Sequence, residues 1–336
     1  MADCCILTTR QALADGRTEA RAFVFRARWR STPLCKRGVW GDCQGSMKIV
    51  DVYGKGQFGL SFEIFPPKTE AGESLLFAAL EALMAHRPSF VSCTYGAVGS
   101  TRENTLELTA KISKTFGVTT AAHRTCVGST IEEILRWLEE AADLGIENIV
   151  ALRGDPPKGQ AEFKKPEGGF AYANELVALI RQKFRHFGIA VAGYPETHQE
   201  APSPAVDLAN LVRKVKAGAD AVITQLFYDN RDFFDFRRRY EEAGIAAPLI
   251  PGILPVVNLG QVQRITSMCG AKIPAPFLAE LEVYRDDPDG QVGVGVRYAI
   301  RQCRELLDAG IPGLHFYLLN KSEATFQILQ ALKLSG

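Results

Sequence analysis

The sequence lacks the features that define several classes of protein. No segment approaches the ~18 consecutive apolar residues that a membrane span requires, and the amino terminus lacks the apolar core and cleavage site of a secretory signal. Eight cysteines in 336 residues are too few for a disulfide scaffold, and their spacing matches no structural zinc site. The sequence therefore predicts a cytoplasmic protein with free thiols, without a membrane partner or a metal.

The chain also has almost no net charge. Its 39 Lys and Arg stand against 38 Asp and Glu, a difference of +1, so the whole chain carries no electrostatic footprint for nucleic acid. Hydrophobic residues at 46% and charged residues at 23% are typical of globular proteins and predict a sizeable core. The length of 336 residues exceeds the ~100–200 of one typical domain, but a single α/β barrel reaches ~250 residues or more.

Residues 1–46 differ from the rest of the chain. They hold four of the eight cysteines and two of the three tryptophans, and their eight Lys and Arg stand against four acids. No helical or strand period persists there, so we predict an unstructured extension, or sequence upstream of a true start at Met47. The alternative is a targeting arm or a docking site for an anionic partner, because transit peptides are rich in arginine and poor in acids. Residues 47–336 form the predicted catalytic domain.

From Gly59 onward, short β-rich apolar runs alternate with segments of helical period, which is typical of parallel strands joined by crossover helices. The predicted strands are 60–65, 90–95, 119–125, 148–154, 189–195, 221–228, 249–256 and 314–319. The predicted helices lie near 73–86, 102–116, 130–144, 172–186, 204–217, 230–243, 258–269 and 322–333. Eight such units predict a (β/α)8 TIM barrel, and no G-x-G-x-x-G motif favours a doubly wound sheet. An extra helical stretch at 276–308, before the last strand, is predicted as an insertion.

The first predicted strand carries a glutamate near its carboxyl end, where catalytic groups of such barrels lie. Strand alternation places Glu63 on one face with Ser61 and Phe65, and we assign this face to the barrel interior. A carboxylate among phenylalanines loses hydration, which favours the neutral acid and makes Glu63 a candidate proton donor. The alternative is a salt-bridged glutamate on an outer face.

The fourth predicted strand ends in L-R-G-D-P-P at 152–157. Pro156 disfavours the helical conformation at Asp155, and the pair of prolines stiffens the turn that aims this carboxylate. We interpret the segment as a fixed ligand clamp, with an ordinary Asp-Pro turn as the alternative. Other polar residues, such as His123, His198 and Gln225, recur at the same predicted end of the barrel.

The helix after the fifth strand carries a polar stripe. Offsets of three, six and seven place four residues on one helical face, namely Asp207, Asn210, Arg213 and Lys214. Such a stripe is usually solvated. The functional interpretation is that these side chains bind ribose hydroxyls and a diphosphate. The two histidines His123 and His198 suggest a barrel metallohydrolase as an alternative. Neither an H-x-H pair on the first strand nor an H-E-x-x-H helix supports it, so no metal is expected.

Five motifs together carry a resemblance to a known family. They are S-F-E-I-F-P-P at 61–67, C-T-Y-G-A at 93–97, L-R-G-D-P-P at 152–157, P-G-I-L-P at 251–255 and L-H-F-Y-L-L-N at 314–320. In this order they resemble the methylenetetrahydrofolate reductases, over about Gly59 to Leu334. The resemblance implies an FAD-dependent barrel enzyme of one-carbon metabolism and methionine synthesis. Such an enzyme reduces 5,10-methylenetetrahydrofolate to 5-methyltetrahydrofolate with NADH or NADPH.

The resemblance also implies roles for individual residues. Glu63 matches the general acid, and Asp155 matches the aspartate beside the flavin and the folate pterin. The implied flavin-binding positions are Thr94, Tyr95, Ala97, His123, Arg153, Gly154, Asp155, Ala173, Tyr194, His198, Ala201, Asp207, Asn210, Arg213 and Lys214. The implied substrate positions are Gln225, Gln261 and Lys321. The chain departs from bacterial relatives at Ile265, where they carry phenylalanine, and at Lys321, where they carry arginine.

The implied chemistry is two hydride transfers at one flavin face, first from nicotinamide to flavin and then from flavin to folate. Protonation of folate N10 by neutral Glu63 would open the five-membered ring to the iminium that accepts hydride. The expected partners are small molecules, and we expect a homo-oligomer without a regulatory domain. Two alternatives stay open, a non-catalytic barrel that binds flavin or folate, and another flavin barrel such as proline dehydrogenase.

Overall fold

The computed structural model describes residues 47–54, 57–94, 102–155 and 163–336. The predicted extension 1–46 lies outside the described residues. Within the described residues, nine strand segments form one parallel sheet. They are β1 Gly59–Ile64, β2 Phe90–Cys93, β3 Thr120–Thr125, β4 Asn148–Leu152, β5 Gly188–Gly193, β6 Ala221–Thr224, β7 Leu249–Ile250, β8 Gly252–Ile253 and β9 Gly313–Tyr317.

The sheet closes into a barrel through a bend in its seventh strand. The strand order is β7-β6-β5-β4-β3-β2-β1-β9-β8, and only Pro251 separates β7 from β8 in the chain. Proline has no amide hydrogen for a ladder, so the regular pairing breaks there. The carbonyl oxygen of Pro251 still accepts from the amide of His315 at 3.0 Å, and the amide of Gly252 donates to Thr224 Oγ1 at 2.9 Å. The predicted eight-unit barrel is confirmed, with strand seven in two pieces.

The helices connect the strands in the order that the sequence predicts. They are α1 Ile49–Gly54, α2 Glu70–Met84, α3 Arg102–Phe116, α4 Ile131–Asp143, α5 Ala173–Lys183, α6 Pro204–Lys216, α7 Asn230–Glu242, α8 Leu259–Cys269, α9 Ala275–Val283, α10 Pro288–Asp308 and α11 Glu323–Leu332. The extra helical stretch before the last strand is confirmed as α9 and α10, and α10 packs against both α7 and α11. None of the helices in the described ranges is long and apolar enough to cross a membrane.

A short helix that the sequence analysis missed closes the amino-terminal end of the barrel. Ile49, Val52 and Tyr53 of α1 are buried in one cluster with interior residues such as Phe90 and Ile250. Their spacing of three and four residues is the helical signal that could have predicted α1. This apolar plug fills the lower half of the barrel, so polar side chains are left to the upper half, near the carboxyl ends of the strands.

Asn148 ties this plug to the barrel. Its Oδ1 accepts from the amide of Ile49 at 2.8 Å, and its Nδ2 donates to the carbonyl oxygens of Met47 and Thr120, each at 3.2 Å. The Asn148 side chain is fully buried at the start of β4. It therefore supplies partners for backbone groups that no regular ladder satisfies.

Replacement of Asn148 by alanine should strongly destabilise the protein. We expect the free energy of unfolding in urea to fall by about 2–4 kcal/mol, because two or more buried backbone groups lose their partner at ~1–3 kcal/mol each. Thr130→Ala is the control, since it removes one exposed helix cap of α4 and should cost about 1 kcal/mol. A loss in Asn148→Ala no larger than that of the control would contradict this role.

Candidate active site

Glu63 lies inside the barrel near the carboxyl end of β1. Its side chain is 13% exposed, and its Oε2 lies 3.4 Å from Nε2 of His123 on β3 and 3.5 Å from Nε2 of His315 on β9. The interior position agrees with the alternation of β1, since Ser61 on the same face is fully buried. The expected phenylalanine surroundings are wrong. Phe65 follows the end of β1 and is 41% exposed, so imidazoles and not phenyl rings are the nearest partners of the carboxylate.

Burial sets the state of the first of these imidazoles. Loss of hydration lowers the pKa of His123, and the nearby charge of Glu63 opposes this shift, while His315 adds to it. The ring is therefore neutral near neutral pH. Within the described residues, neither His123 Nε2 nor His315 Nε2 has a hydrogen-bond partner, although both atoms are buried. Two unsatisfied ring nitrogens thus face one carboxyl group, which is uncommon in a folded interior.

The end of β4 carries the predicted clamp. Gly154 has φ +87°, and a Cβ there would come within 2.7 Å of Val127 Cγ1, so only glycine fits. Asp155 is exposed at this end of the barrel. Pro156 and Pro157, on which the predicted stiffness depends, lie outside the described residues. The structure thus places the Asp155 carboxylate at the mouth of the barrel, on a backbone bend that Gly154 permits.

Arg153 is held by a carboxylate that the sequence analysis did not single out. Its two terminal nitrogens contact both carboxyl oxygens of Glu200, with Nη2 to Oε1 at 2.7 Å. The guanidinium carbon also lies 4.9 Å from the ring centroid of Phe163. The hydrogen bonds and charge of Arg153 lower the pKa of Glu200. A paired arginine at the barrel mouth can exchange this carboxylate for another anion, because the same fork geometry suits phosphate.

The predicted polar stripe of α6 divides into two parts. Asp207 Oδ2 accepts from the amide of His198 at 3.0 Å, and the Lys214 ammonium donates to the carbonyl oxygen of Ala192 on β5. Asn210 and Arg213 instead pair with each other at 2.8 Å on the exposed side. The first part thus bonds the backbone of β5 and of the loop that follows it.

Lys214 has an unusual electrostatic setting. Burial lowers its pKa from 10.5 to about 8, with the charge of Asp207 opposing the shift. Its ammonium lies 5.9 Å from the ring centroid of Tyr194, whose ring makes an edge contact with His198 at 4.7 Å. Lys214 makes no ion pair with a carboxylate of the described chain within 4.0 Å. A desolvated cation of this kind favours an anionic ligand.

For the other predicted flavin-binding positions in the described residues, the structure gives backbone contacts or a place in a helix. Thr94 follows β2 and its amide donates to the carbonyl oxygen of Ile64 at 2.9 Å, while Ala173 is the first residue of α5. The amide of Ala201 donates to the carbonyl oxygen of His198 at 2.8 Å. Tyr95 and Ala97 lie outside the described residues.

The predicted substrate positions lie on three different elements. Gln225 follows β6, where the predicted sixth strand ends early, and its Oε1 accepts from the amide of Leu226 at 2.9 Å. Gln261 is in the first turn of α8, and its amide donates to Asn258 Oδ1 at 2.8 Å. Ile265 is partly buried on the same helix and packs against its apolar cluster. Within the described residues, no hydrogen bond joins the side chains of Gln225 and Gln261.

Lys321 follows a strained segment after β9. Leu319 and Asn320 both have positive φ, 48° and 60°, which is uncommon for residues other than glycine. The Asn320 amide group bonds both backbone groups of Phe65 at 2.8 Å, so the ends of β9 and β1 are fixed to each other. Strained backbone often marks a functional site, and here it directs the chain of Lys321 out of the last strand.

A buried carboxylate that received no separate role is Glu196, next to Gln225. Its side chain is 7% exposed, and both oxygens accept from the amide of Lys272 at 3.1 Å. Burial raises its pKa, while the Lys272 hydrogen bond opposes the shift. Glu196, Gln225 and Cys269 line the same small cleft, beside Thr197 with φ 74°. The burial of Glu196, between Pro195 and His198 in sequence, could not be predicted from the residue pattern alone.

A separate apolar cavity lies at the opposite end of the barrel. It holds about 190 Å³ and is lined by residues such as Phe233, Tyr240 and Leu249. The charged residues in its lining bond each other, since Arg237 bonds Glu241 and also the carbonyl oxygen of Ala309. The acid–base groups described above converge only at the other end, which is the end that serves catalysis in parallel barrels.

Fold and site together define a parallel α/β barrel with acid–base groups at the carboxyl ends of its strands, the arrangement of barrel enzymes. The chain belongs to the methylenetetrahydrofolate reductase family, whose model matches residues 48–333. The family resemblance of the five sequence motifs is thereby confirmed.

Individual relatives agree with this assignment. The chain is 42% identical over 297 residues to "Methylenetetrahydrofolate reductase (NADH) 1" of Zea mays, covering 85% of this chain and 50% of that protein. It is 39% identical over 278 residues to "5,10-methylenetetrahydrofolate reductase" of Escherichia coli K12, covering 83% and 92%. The chain thus spans about half the length of its plant relatives and most of the bacterial one.

A solved structure shares the fold at lower similarity. It is an uncharacterized protein from Clostridium thermocellum that binds two copies of 5-methyl-5,6,7,8-tetrahydrofolic acid. The TM-score is 0.58 at 16% identity, over 84% of this chain and 97% of that one. At this identity the likeness concerns the fold alone.

Proposed function

We propose that this chain reduces 5,10-methylenetetrahydrofolate to 5-methyltetrahydrofolate with NADH or NADPH as the reductant and FAD as the cofactor. The observation that carries the proposal is the interior Glu63, whose Oε2 faces two imidazoles at the catalytic end of a barrel from this family. The bacterial relative, of which the chain covers 92%, has a printed name with the same activity. The family assignment favours this activity over a barrel without turnover or a proline dehydrogenase.

The residues at the mouth of the barrel fit a flavin dinucleotide. Lys214 and Arg153 supply two cations for a diphosphate, and Asp207 supplies an acceptor for hydroxyl groups. The desolvated ammonium of Lys214, without a carboxylate partner in the described chain, is the feature that most favours an anionic ligand. When bound, the flavin supplies a two-electron carrier between nicotinamide and folate.

Glu63 and Asp155 have separate tasks in the proposed reaction. Protonation of folate N10 by the neutral Glu63 side chain breaks the ring C–N bond and leaves the electrophilic carbon that accepts hydride. Asp155, exposed at the end of β4, binds the pterin and places a negative charge beside the cationic carbon. Gln225, Gln261 and Lys321 are proposed to contact the folate and the nicotinamide.

The test is a pair of half-reactions measured without oxygen. The purified protein, loaded with FAD, should be bleached by NADH or NADPH and recoloured by methylenetetrahydrofolate, with methyltetrahydrofolate as the product. Separate runs with NADH and NADPH identify the reductant. Bleaching without recolouring would favour a different flavin barrel, and neither change would favour a barrel that only binds its ligands.

Flavin affinity should fall as the pH rises through about 8. Lys214 has a pKa lowered to about 8, so its ammonium is present below this pH and lost above it, and the attraction for a diphosphate is lost with it. The dissociation constant of FAD, measured by flavin fluorescence on both sides of pH 8, checks this. Lys214→Arg is the control, because arginine stays charged throughout. An equal decline in both proteins would show that another group is responsible.

The proposed setting of the enzyme is the cytoplasm, with small-molecule partners and a homo-oligomeric assembly. The assembly is a proposal from the sequence, and light scattering of the purified chain after gel filtration tests it. A mass of 36.8 kDa, that of one chain, would contradict it.

A further inference from the structure

His315 lies on β9 inside the barrel, and its ring is fixed by its neighbours. It stacks on Phe90 with centroids 6.0 Å apart and an interplanar angle of 25°, and it makes an edge contact with Tyr317 at 5.3 Å. Ser61 of β1 stands directly opposite His315 in the ladder. The His315 side chain is 0% exposed, so bulk water reaches neither ring nitrogen.

The two ring nitrogens of His315 face different groups. Nδ1 lies 2.8 Å from Ser61 Oγ, a usual hydroxyl hydrogen-bond length, whereas Ser61 Oγ lies 3.4 Å from the carbonyl oxygen of Leu314. From the shorter of these two contacts we assign the Ser61 hydrogen to Nδ1, so that Nδ1 accepts and the ring hydrogen lies on Nε2. The polar atom that this Nε2–H faces is Glu63 Oε2 at 3.5 Å.

His123 faces the same oxygen from the other side of the barrel. Its Nε2 lies 3.4 Å from Glu63 Oε2, and it has no other partner in the described chain. Both contacts are slightly longer than an N–H to oxygen hydrogen bond, and such contacts tighten when the acceptor becomes charged. One Nε2 atom of each histidine thus lies close to the same oxygen of Glu63.

We propose that His315, held by Ser61, and His123 form an anion cradle for Glu63. Here the O–H bond of Glu63 breaks as the N–H bond on the substrate nitrogen forms, and the charge left on the carboxylate meets the Nε2–H of His315 and, in the proposed cradle, an Nε2–H of His123. These hydrogen bonds are stronger after proton transfer than before it, so they lower the barrier to proton donation. His315 and Ser61 are positioning residues in this scheme. It rests on the proposed function, since it supplies partners to the proposed general acid.

The other titratable groups that face Glu63 stay neutral. Burial raises the pKa of the Cys93 thiol to about 12, and it raises the pKa of Tyr317 well above its usual range. The Tyr317 hydroxyl also donates to the carbonyl oxygen of Thr224 at 2.6 Å, so it is not directed at the carboxylate. The two imidazoles are therefore the groups that respond when the charge of Glu63 changes.

Variants of His315 separate the cradle from a structural role. His315→Phe keeps the stack on Phe90 and removes the donor, and His315→Gln keeps an amide donor. We expect the folate half-reaction to slow about 10–100-fold in the phenylalanine variant, the loss for one hydrogen bond to a charged group. The glutamine variant should recover most of this rate. FAD content and flavin reduction by the nicotinamide should match the wild type in both.

The pH profile provides a readout that a packing role would not change. Without the His315 donor the carboxylate of Glu63 is less stable, so the loss of the folate half-reaction at high pH should move to higher pH in His315→Phe. An unchanged profile and rate would overturn the cradle, and so would equal losses in both half-reactions. A wild-type protein that is not recoloured by methylenetetrahydrofolate would instead refute the proposed function.

The tautomer of His315 can be measured without cofactor or turnover. In protein labelled with ¹⁵N-histidine, the His315 signals are those that disappear in His315→Phe. We expect the hydrogen on Nε2 in the wild type and a mixture of tautomers in Ser61→Ala, which lacks the hydroxyl that fixes the ring. A hydrogen on Nδ1 in the wild type would overturn the cradle even in an active reductase. The tautomer can still be tested if a His315 variant folds poorly, because Ser61→Ala leaves the His315 ring in place.

Discussion

Glu63→Gln should stop folate reduction and leave flavin reduction by the nicotinamide nearly intact. Glutamine has the same shape as the neutral acid but has no proton of comparable acidity to give to folate N10. General acid catalysis contributes about 10²–10⁴-fold, so we expect a loss of this size in the folate half-reaction. Hydride transfer from nicotinamide to flavin needs no such proton, and its rate should change little.

Stopped-flow absorbance of the flavin measures both half-reactions of Glu63→Gln in one preparation. Glu147→Gln is the matched control, because Glu147 precedes β4 at the opposite end of the barrel and the chemical change is the same. The control should retain both rates. Equal losses of the two half-reactions in Glu63→Gln would show that the residue supports the fold or the flavin, and not proton donation.

The strand period predicted the faces of the barrel strands but not the contacts across its interior. The alternation of Ser61 and Glu63 was sufficient to place both inside. Which residues stand opposite them depends on barrel closure and on the registers between β1, β9 and β3. For this reason the local pattern predicts phenylalanines around Glu63, while the structure places His123 and His315 there. Long-range register has no counterpart in a local residue pattern.

The pairing of side chains at the mouth of the barrel could not be predicted from the sequence either. The stripe lies on α6 as predicted, but Lys214 bonds β5, Asp207 bonds the loop after β5, and Asn210 and Arg213 pair with each other. Rotation of a helix against its sheet decides this division, and the polar residues alone do not fix that rotation. The split of strand seven had a local signal, because proline cannot donate to a ladder and Pro251 stands in its middle.

Glu63 and Asp155 lie in different surroundings at the same end of the barrel. Glu63 lies below the mouth, and its side chain is 13% exposed. Asp155 is exposed at the rim, and its charge adds to the effect of burial in raising the pKa of Tyr194. One carboxyl group thus lies inside the barrel and the other at its rim, which is the placement that their two proposed tasks require.

Asp155→Asn should weaken folate binding and raise the flavin midpoint potential. The carboxylate stabilises the cationic form of the substrate and opposes the negative charge of reduced flavin, and asparagine keeps its shape without its charge. We expect the KM for folate to rise about 10–100-fold, as for the loss of one hydrogen bond to a charged group. The potential should rise by roughly 20 mV for each ~1 kcal/mol of charge interaction lost.

The two half-reactions of Asp155→Asn should move in opposite directions, which a misfolded site would not produce. A higher potential favours reduction of the flavin by the nicotinamide, so that rate should be kept or increased, while recolouring by folate slows. Asp143→Asn is the control, since Asp143 is exposed at the end of α4, at the other end of the same strand–helix unit. An unchanged potential in a dye-equilibration titration would remove the electrostatic role, because no shape change accompanies this substitution and the charge alone is lost.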